Sequence, residues 1–369
     1  MAAAARILTV NAGSSSLKLR LLGPGDEVLA TRDPSPGDDE ALRAEFDAML
    51  AAGPAPDAAA HRVVHGGARF DRATLVDAGV EAELERLADL APLHNPQAVR
   101  GMRALAAAAP ELPNVACFDT AFHADLPAAA RTYALPAAWS AGATPLRRYG
   151  FHGLSHAYAS RRAAVLLGRP AEELRLVTAH LGAGASLAAV AGGRSVDTTM
   201  GFTPLEGLVM ATRAGSVDPG LLLWLQRHRG IEPEEMERGL DREAGLLGLA
   251  GTADMREVVA GAAGGEEGSA LALDVYVHRL TASIAAMAAA MGGLDALVFT
   301  GGVGENSAAV RERACGTGAF LGVELDPVLN GRGDPDAVIS PPDAAVAVAL
   351  VAAREDVEMA AQARALLGA

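Results

Sequence analysis

Aromatic and cysteine residues are scarce in this chain, although half of its residues are apolar. Phe, Trp and Tyr make up 4% of the 369 residues, and there are 2 cysteines, Cys117 and Cys315. Alanine and glycine fill much of the apolar fraction, which favours close packing of helices on sheets over large aromatic pockets. Two cysteines so far apart make neither a disulfide framework nor a zinc site, and they predict a reduced, cytoplasmic setting.

An excess of positive charge is also lacking. The formal net charge of −14 argues against general binding to nucleic acids or to anionic membranes, so an anionic ligand would need locally placed cations. The longest weakly polar stretch, 280–299, contains Asp295 and predicts a buried helix followed by a strand rather than a membrane span. Residues 1–6 lack the pattern of a secretory signal.

The length favours two domains, and strand-like runs alternate with helical patterns, which predicts an α/β fold. Strands are predicted at 6–10, 17–22, 62–65, 115–118, 175–179, 186–190 and 296–300. Helices are predicted at 40–51, 81–90, 97–108 and 155–167, the last with Ser155 as N-cap and Gly168 just past its end. Exposed loops are predicted at 24–39 and 261–268.

The segment 7–18 combines a buried strand with a glycine turn, three hydroxyls and a lysine. A glycine turn lets backbone N–H groups converge, Ser14 and Ser16 add donors, and Lys18 adds positive charge. Polyphosphates are bound by such groups. The alternative interpretation is an ordinary hairpin with a polar turn.

Residues 175–190 repeat the pattern of 6–22, with a strand, a glycine turn with a hydroxyl, and a second strand. A third glycine turn, 300–306, follows the strand predicted before it. Equivalent hairpins in two halves indicate a duplicated fold that holds a ligand between domains. The chain has no Gly-x-x-x-x-Gly-Lys-Ser/Thr motif, and Gly182-Ala-Gly184 lacks the third glycine of a dinucleotide fingerprint.

Seven of the 9 histidines fall between residues 61 and 180. This density favours a shared functional role over isolated structural ones. Metal clustering is the rival explanation, but no His-x-x-x-His pair lies on an evident helix and cysteine support is absent.

Eight segments together resemble the acetate kinase family, within the superfamily of acetate and sugar kinases, chaperones and actin. They are Asn11-Ala-Gly-Ser-Ser-Ser-Leu-Lys18, His61-Arg-Val-Val-His-Gly-Gly67, Leu90-Ala-Pro-Leu-His-Asn-Pro96, Phe118-Asp-Thr-Ala-Phe-His123, Tyr149-Gly-Phe-His-Gly153, Met200-Gly-Phe-Thr-Pro-Leu-Glu-Gly207, Thr212-Arg-Ala-Gly-Ser-Val-Asp-Pro219 and Gly301-Gly-Val-Gly-Glu-Asn306. Each motif alone is weak evidence, but eight in the family's order and near its spacing are specific.

The resemblance implies reversible transfer of the ATP γ-phosphoryl group to acetate, giving acetyl phosphate and ADP, with Mg²⁺ or alternatively Mn²⁺. It also implies two duplicated RNase H-like (actin-like ATPase) domains with mixed sheets and an active-site cleft between them. The expected N-terminal domain comprises 1–121 plus 356–369, and the expected C-terminal domain comprises 122–355. The resemblance also implies a homodimer, so a second copy of the chain is the expected macromolecular partner. Helices near 200–250 are candidate contact elements.

The family's site residues carry over by motif. The expected catalytic residues are Arg62, Asp119, His152, His180 and Arg213. Acetate is expected to contact Arg62, Val64, Leu93, His94, Phe151 and Pro204. The nucleotide and its phosphates are expected at Ser14, Ser16, Lys18, His180, Gly182, Gly184, Asp254, Met255, Arg256, Gly302, Val303, Gly304, Glu305 and Asn306. The metal is expected near Asn11 and Glu355.

For Asp119 the resemblance leaves three interpretations: orienting the substrate-side arginine, serving the metal, or forming a covalent aspartyl-phosphate, with a plain helix N-cap as the structural alternative. Acetate is an anion at neutral pH and needs no general base, so the arginines should neutralise charge on two approaching anions.

The chain departs from the family pattern at two places. The family's second phosphate turn reads His-Leu-Gly-Asn-Gly, whereas this chain has Ala183 in place of the Asn. The family usually shows Thr-Asn-Glu-Glu where this chain has Ala-Arg-Glu-Asp at 353–356, with Glu355 in register. The first change predicts lower turnover or an altered phosphoryl donor. The alternatives are a propionate or other short-chain carboxylate kinase, an actin- or chaperone-like ATPase without acyl-phosphate chemistry, and a catalytically weakened protein.

Overall fold

The computed structural model describes residues 5–12, 17–35, 37–92, 94–140, 142 and 144–368. Within these ranges the chain forms an α/β fold with two six-stranded mixed sheets. The strands of each sheet alternate with helices along the chain, as the sequence pattern predicts.

The first sheet is built from the N-terminal third of the chain. Its strands are β1 (Ile7–Ala12), β2 (Leu17–Leu22), β3 (Val28–Arg32), β4 (Ala58–Val63), β5 (Thr74–Leu75) and β6 (Asn114–Phe118), in the order β3-β2-β1-β4-β6-β5. The three central strands β1, β4 and β6 run parallel, and β2, β3 and β5 are antiparallel to their neighbours.

The second sheet repeats this plan. Its strands are β7 (Arg175–Leu181), β8 (Ala185–Ala191), β9 (Arg194–Thr198), β10 (Ala296–Thr300), β11 (Ala337–Val338) and β12 (Ala347–Leu350), in the order β9-β8-β7-β10-β12-β11. Every pairing has the same direction as its counterpart in the first sheet. The duplication predicted from the two similar segments, and the fold class with it, is confirmed.

Helices cover and connect the sheets. They are α1 (Asp39–Ala51), α2 (Ala78–Arg86), α3 (Asn95–Ala108), α4 (Ala128–Arg131), α5 (Gly153–Leu167), α6 (Pro219–Arg229), α7 (Pro233–Arg238), α8 (Gly245–Ala250), α9 (Met255–Ala263), α10 (Glu267–Ala290), α11 (Gly301–Asn306), α12 (Ala308–Thr317), α13 (Pro327–Arg332) and α14 (Glu355–Leu367). No helix in the described part of the chain is long and apolar enough to cross a membrane.

The last helix, α14, packs back on the first sheet. Met359, Ala360 and Ala363 are buried in one apolar cluster with Ile7 and Val115. α14 also packs on α5, which in turn lies against β6 of the first sheet and β7 of the second. The two sheets are thereby joined through α5 and α14, and the domain limits given above remain a proposal.

Several local predictions need correction. The strand predicted at 62–65 is instead 58–63, because parallel pairing with β1 begins at Ala58 and parallel pairing with β6 ends at Val63. The loop predicted at 24–39 contains β3, which pairs with β2, and α9 and α10 extend into the loop predicted at 261–268. The glycine turn predicted at 300–306 is the helix α11.

The start of α5 also differs from the prediction. His152, not Ser155, occupies the N-cap position, with φ 56°, and the helix begins at Gly153. A Cβ on Gly153 would lie 2.2 Å from the carbonyl oxygen of Asp119, so only glycine fits this approach. The predicted stop at Gly168 is confirmed by its left-handed φ of 62°.

Candidate functional site

The carboxyl ends of the parallel strands bring polar side chains from distant motifs to one edge of each sheet. In the first sheet, Asn11 lies near the end of β1, Arg62 near the end of β4, and Asp119 directly after β6. In the second sheet, His180 lies near the end of β7. Parallel pairing places these ends side by side, which is where open α/β sheets bind ligands.

Arg62 and Asp119 form a partly buried ion pair. The Arg62 guanidinium donates to one oxygen, Oδ2 of Asp119, from Nη2 at 2.7 Å and from Nε at 3.0 Å, and its Nη1 lies 3.4 Å from Oδ1 of Asn11. Burial raises the pKa of Asp119, and the neighbouring guanidinium opposes that shift. Burial alone would lower the pKa of Arg62, but the carboxylates of Asp119 and Glu355 outweigh it and raise that pKa. Arg62 is therefore a fixed cation at the cleft.

Arg213 has an equivalent arrangement in the second half of the chain. Its Nε donates to Oδ1 of Asp241 at 2.9 Å, and its Nη1 lies 3.5 Å from the carbonyl oxygen of Pro204. Both arginines are thus oriented by a carboxylate while part of each guanidinium stays accessible. Sequence reasoning missed Asp241, because it lies in none of the recognisable motifs.

A cavity of about 350 Å³ lies between the two halves of the chain and collects these side chains. Its lining residues are Asn11, Ala12, Lys18, Arg62, Val64, His94, Asp119, Phe151, His152, Ala183, Gly184, Pro204 and Arg213. Its charged lining residues are the cations Lys18, Arg62 and Arg213 and the anion Asp119, in a protein whose net charge is −14. The cavity is therefore suited to a small anion or a phosphoryl group.

Three histidines lie at or beside this cavity, and the pKa of each is lowered, which favours the neutral imidazole. Burial lowers the pKa of His152 well below 6.5, and His180 and Arg62 lower it further. Burial also lowers the pKa of His180, with Glu355 opposing the shift. The His94 pKa is lowered by burial and by Arg213 and Arg62. The rings of His152 and His180 lie 4.4 Å apart, so protonating both would place two cations together.

The cavity lining includes apolar residues expected to contact acetate. These are Val64, Phe151 and Pro204, whereas Leu93 lies outside the described residues. The loop that carries Pro204 is anchored by Tyr133, whose hydroxyl accepts from the Phe202 backbone N–H at 2.9 Å and donates to a carboxylate at 2.6 Å. This patch can receive one small alkyl group.

A larger cavity of about 980 Å³ adjoins the first, and Ala183 lines both. Of the residues predicted to bind nucleotide, it is lined by Gly182, Asp254, Met255, Arg256, Gly302, Val303 and Asn306. Gly304 instead packs against β7, and Glu305 accepts a hydrogen bond from the Ala353 backbone N–H at 3.0 Å. Lys18 and Gly184 line the 350 Å³ cavity instead, and His180 lines neither cavity. Ser14 and Ser16 lie outside the described residues.

Oxygen donors suited to a hard divalent cation surround the start of α14. Asn11 and Glu355 supply oxygens to a further cavity of about 390 Å³, whose charged lining also includes Asp356 and the cations Lys18, Arg20 and Arg354. Asn11 also lines the cavity that contains Asp119. Oδ1 of Asp119 is buried and has no hydrogen-bond partner. Mg²⁺ takes few protein oxygens and keeps waters and phosphates, so this set fits it. No cluster of three or more His, Cys, Asp or Glu ligands occurs within the described ranges.

Fold and site together define an α/β protein with two like sheets and a cation-lined cleft for anions. The model of the Acetokinase family matches residues 42–361. The chain is 45% identical over 393 residues to an acetate kinase of Clavibacter sepedonicus, covering 98% of this chain and 99% of that protein. It is 52% identical over 297 residues to an acetate kinase of Synechococcus sp., covering 80% and 73%.

Two solved structures have the same fold over almost their full lengths. An acetate kinase from Porphyromonas gingivalis superposes with a TM-score of 0.90 at 36% identity, covering 99% of this chain and 100% of that one. A propionate kinase from Francisella tularensis superposes with a TM-score of 0.89 at 34% identity, covering 97% and 98%. The chain belongs to the acetokinase family.

Proposed function

We propose that this protein is an acetate kinase, which transfers the γ-phosphoryl group of ATP reversibly to acetate. The observation that carries the proposal is the 350 Å³ cavity, which is lined both by arginines from the two halves of the chain and by apolar side chains. A carboxylate with a small alkyl group matches both parts. The 980 Å³ cavity, which meets the first at Ala183, is large enough for a nucleotide and supports ATP as the donor.

In this proposal the arginines overcome repulsion between two anions. Arg62, oriented by Asp119, holds the acetate carboxylate, and Arg213, oriented by Asp241, holds the transferring phosphoryl group. Acetate is already ionised at neutral pH, so a general base is not needed. Alignment and charge neutralisation therefore account for catalysis, as in other phosphoryl transfers.

The remaining groups complete the site. His152 donates to the phosphoryl oxygens, His180 lies beside it, and His94 borders the carboxylate. Lys18 supplies charge near the first phosphate turn. Bound Mg²⁺ would be held near Asn11 and Glu355 and would neutralise charge on the nucleotide phosphates.

Oδ1 of Asp119 has no hydrogen-bond partner, so this carboxylate would be available to help hold bound Mg²⁺ while its Oδ2 orients Arg62. The ion pair favours orientation of Arg62 as its main role over an aspartyl-phosphate intermediate. Asp254, Met255, Arg256 and the glycines of α11 would border the adenosine.

The test is a hydroxamate assay with ATP, Mg²⁺ and carboxylates of one to four carbons. Acetyl hydroxamate should form with the wild type and fall to background with Asp119→Asn. If no acid gives a hydroxamate while ATP is still hydrolysed, the protein is an ATPase and the proposal is wrong.

Propionate is the second candidate acceptor, because a propionate kinase superposes on this chain with a TM-score of 0.89. An apolar pocket distinguishes one methylene by only about 1–3 kcal/mol. The ratio of kcat/KM for the two acids in the same assay decides between them.

We further propose a homodimer in the cytoplasm. Helix α6 has no buried residue, and Leu221, Leu223 and Trp224 are 46%, 51% and 45% exposed. A second copy that covers this helix would remove the apolar surface from water. Leu223→Glu should therefore give a monomer in light scattering, whereas the control Phe320→Glu, at a residue 74% exposed on a different element, should not.

The proposed cytoplasmic location is supported by the two cysteines, which are both buried and unbridged, as expected in a reducing compartment.

A further inference from the structure

A chain of hydrogen-bonding side chains runs from the interior of the second sheet to His152. Oγ of Ser186 lies 2.9 Å from Nδ1 of His152 and 2.8 Å from Nε2 of His156. Nδ1 of His156 lies 2.8 Å from Oγ1 of Thr178. Ser186, His156 and Thr178 are fully buried, so no water competes for these contacts.

The edge of the His152 ring that carries Nε2 and Cε1 lies next to residues of the cavity wall. A Cβ built on Gly184 would lie 3.3 Å from both Nε2 and Cε1 of His152, and 3.5 Å from Nη1 of Arg213. Gly184 and Arg213 both line the 350 Å³ cavity. Nε2 of His152 is therefore the ring nitrogen that meets a bound ligand.

Two proton arrangements pair every proton of this chain, because a hydroxyl has one proton and a neutral imidazole has one N–H. If both histidines donated to Ser186, its buried hydroxyl proton would have no acceptor among its contacts. In the first, Thr178 donates to Nδ1 of His156, whose Nε2–H donates to Ser186, which donates to Nδ1 of His152. His152 then carries its proton on Nε2, towards the cavity. In the second, every bond is reversed and Nε2 of His152 is an acceptor.

The position of Thr178 favours the first arrangement. Reversal would require its hydroxyl proton to go to the Ala188 carbonyl, which lies 3.5 Å from Oγ1, whereas Nδ1 of His156 lies at 2.8 Å. A hydrogen bond at 3.5 Å is at the limit of useful geometry. A bound phosphoryl oxygen would also repel an acceptor at Nε2.

We infer that Thr178, His156 and Ser186 are positioning residues that hold neutral His152 in the tautomer whose Nε2–H donates into the cavity. This inference rests on the proposed phosphoryl transfer, for which that N–H is a donor to the transition state. The relay needs neutral rings, and burial lowers the pKa of both His152 and His156 well below 6.5. His180, Arg62 and Arg213 around His152, and His123 and His180 around His156, lower these pKa values further.

The relay can be broken at two places without touching the cavity wall. Ser186→Ala removes the link to His152, and Thr178→Val removes the terminal donor while keeping the side-chain shape. Thr178→Ser keeps the hydroxyl and should restore function. Ser160→Ala is the matched control, because Ser160 is also buried but bonds to the Ala157 carbonyl of its own helix.

Loss of one transition-state donor reduces kcat by about 10²–10³-fold, so loss of its orientation should reduce kcat by about tenfold for Ser186→Ala and about threefold for Thr178→Val. KM for both substrates should stay within about twofold, since the relay acts through a group that serves the transition state. In a His152→Ala background both substitutions should leave kcat unchanged. If either substitution lowers kcat equally in the wild-type and His152→Ala backgrounds, the inference is wrong, because a purely structural role does not depend on that ring.

Nitrogen NMR of the ligand-free protein tests the tautomer directly, whether or not the enzyme makes acetyl phosphate. The His152 signals, identified by their loss in His152→Ala, should report a protonated Nε2 in the wild type and a mixture of tautomers in Ser186→Ala. A proton on Nδ1 in the wild type would refute the relay. Absence of acyl phosphate with the expected tautomer would refute the proposed function alone.

Discussion

Replacing Arg62, the cation of the Arg62–Asp119 pair, should lower both the free energy of unfolding and kcat, and the two losses can be measured separately. In Arg62→Ala the Asp119 carboxylate, whose side chain is 1% exposed, loses the donor at 2.7 Å. Breaking a buried pair by removing one partner destabilises a protein by about 3–5 kcal/mol. Arg62 is 21% exposed, so Asp119→Asn leaves a cation that water can still reach and should be milder, about 1–2 kcal/mol.

The double variant Arg62→Ala/Asp119→Asn removes the stranded charge and should recover about 2 kcal/mol relative to Arg62→Ala, judged by the difference between those two penalties. Activity should not recover, because the cation that faces the carboxylate is still missing. Each variant should lose at least about 10²-fold in kcat, the scale of one transition-state donor.

The sign of the pH dependence provides a further check. Without Arg62, burial is left to raise the pKa of Asp119 above its unfolded value. A carboxyl with a raised folded pKa gives stability that is present below the unfolded pKa and lost as the pH rises through the folded pKa. The difference in free energy of unfolding between the wild type and Arg62→Ala should therefore become smaller as the pH is lowered from 7 towards 4.

Urea unfolding of the four proteins at several pH values measures these free energies, and the hydroxamate assay measures kcat. The reasoning is refuted if Arg62→Ala is as stable as the wild type at neutral pH, or if the double variant is less stable than Arg62→Ala.

Three other predictions follow from the described geometry. Ala183→Asn restores an amide where the two cavities meet and should raise kcat/KM for ATP in the hydroxamate assay; an unchanged value would mean that Ala183 does not limit turnover. Val64→Ala enlarges the apolar patch and should shift kcat/KM towards propionate by up to about tenfold, whereas an unchanged acetate-to-propionate ratio would place the alkyl group elsewhere. Burial lowers the pKa of His61 and His123 to about 4, so each gives stability that is present above about pH 6.5 and lost as the pH falls towards 4. The free energy of unfolding should fall by up to about 1.4 kcal/mol per pH unit per histidine in that window, and His61→Gln should have a shallower slope.

Much of the framework was readable from local pattern. Runs such as 17–22 and 296–300 are apolar enough to predict strands, and both strands have these bounds. The similarity of 6–22 to 175–190 predicted a duplication, because a repeated turn and strand pattern dictates the same local pairing. Five strands, β3, β5, β9, β11 and β12, were missed. The first four are held by pairing with a neighbour rather than by an apolar run of their own, whereas β12 is a short apolar run among other alanines and valines.

Family motifs placed Arg62, Asp119, His152 and Arg213 in one site, and the cavity contains all four. The groups that orient them were not readable in the same way. Asp241 lies in no motif, and it meets Arg213 only because tertiary folding brings the segment after α7 next to that arginine.

The sequence by itself determined the α/β class, the duplication and the residue types that face an anion, because these follow from local periodicity and from motifs short enough to be read along the chain. Tertiary structure alone decided which atoms meet. Ser155 looked like a helix cap and instead pairs with His180, and Ser186 links His152, the N-cap residue of α5, to His156 within that helix. Such contacts join residues of different elements, so strand register and helix packing set their distances and directions.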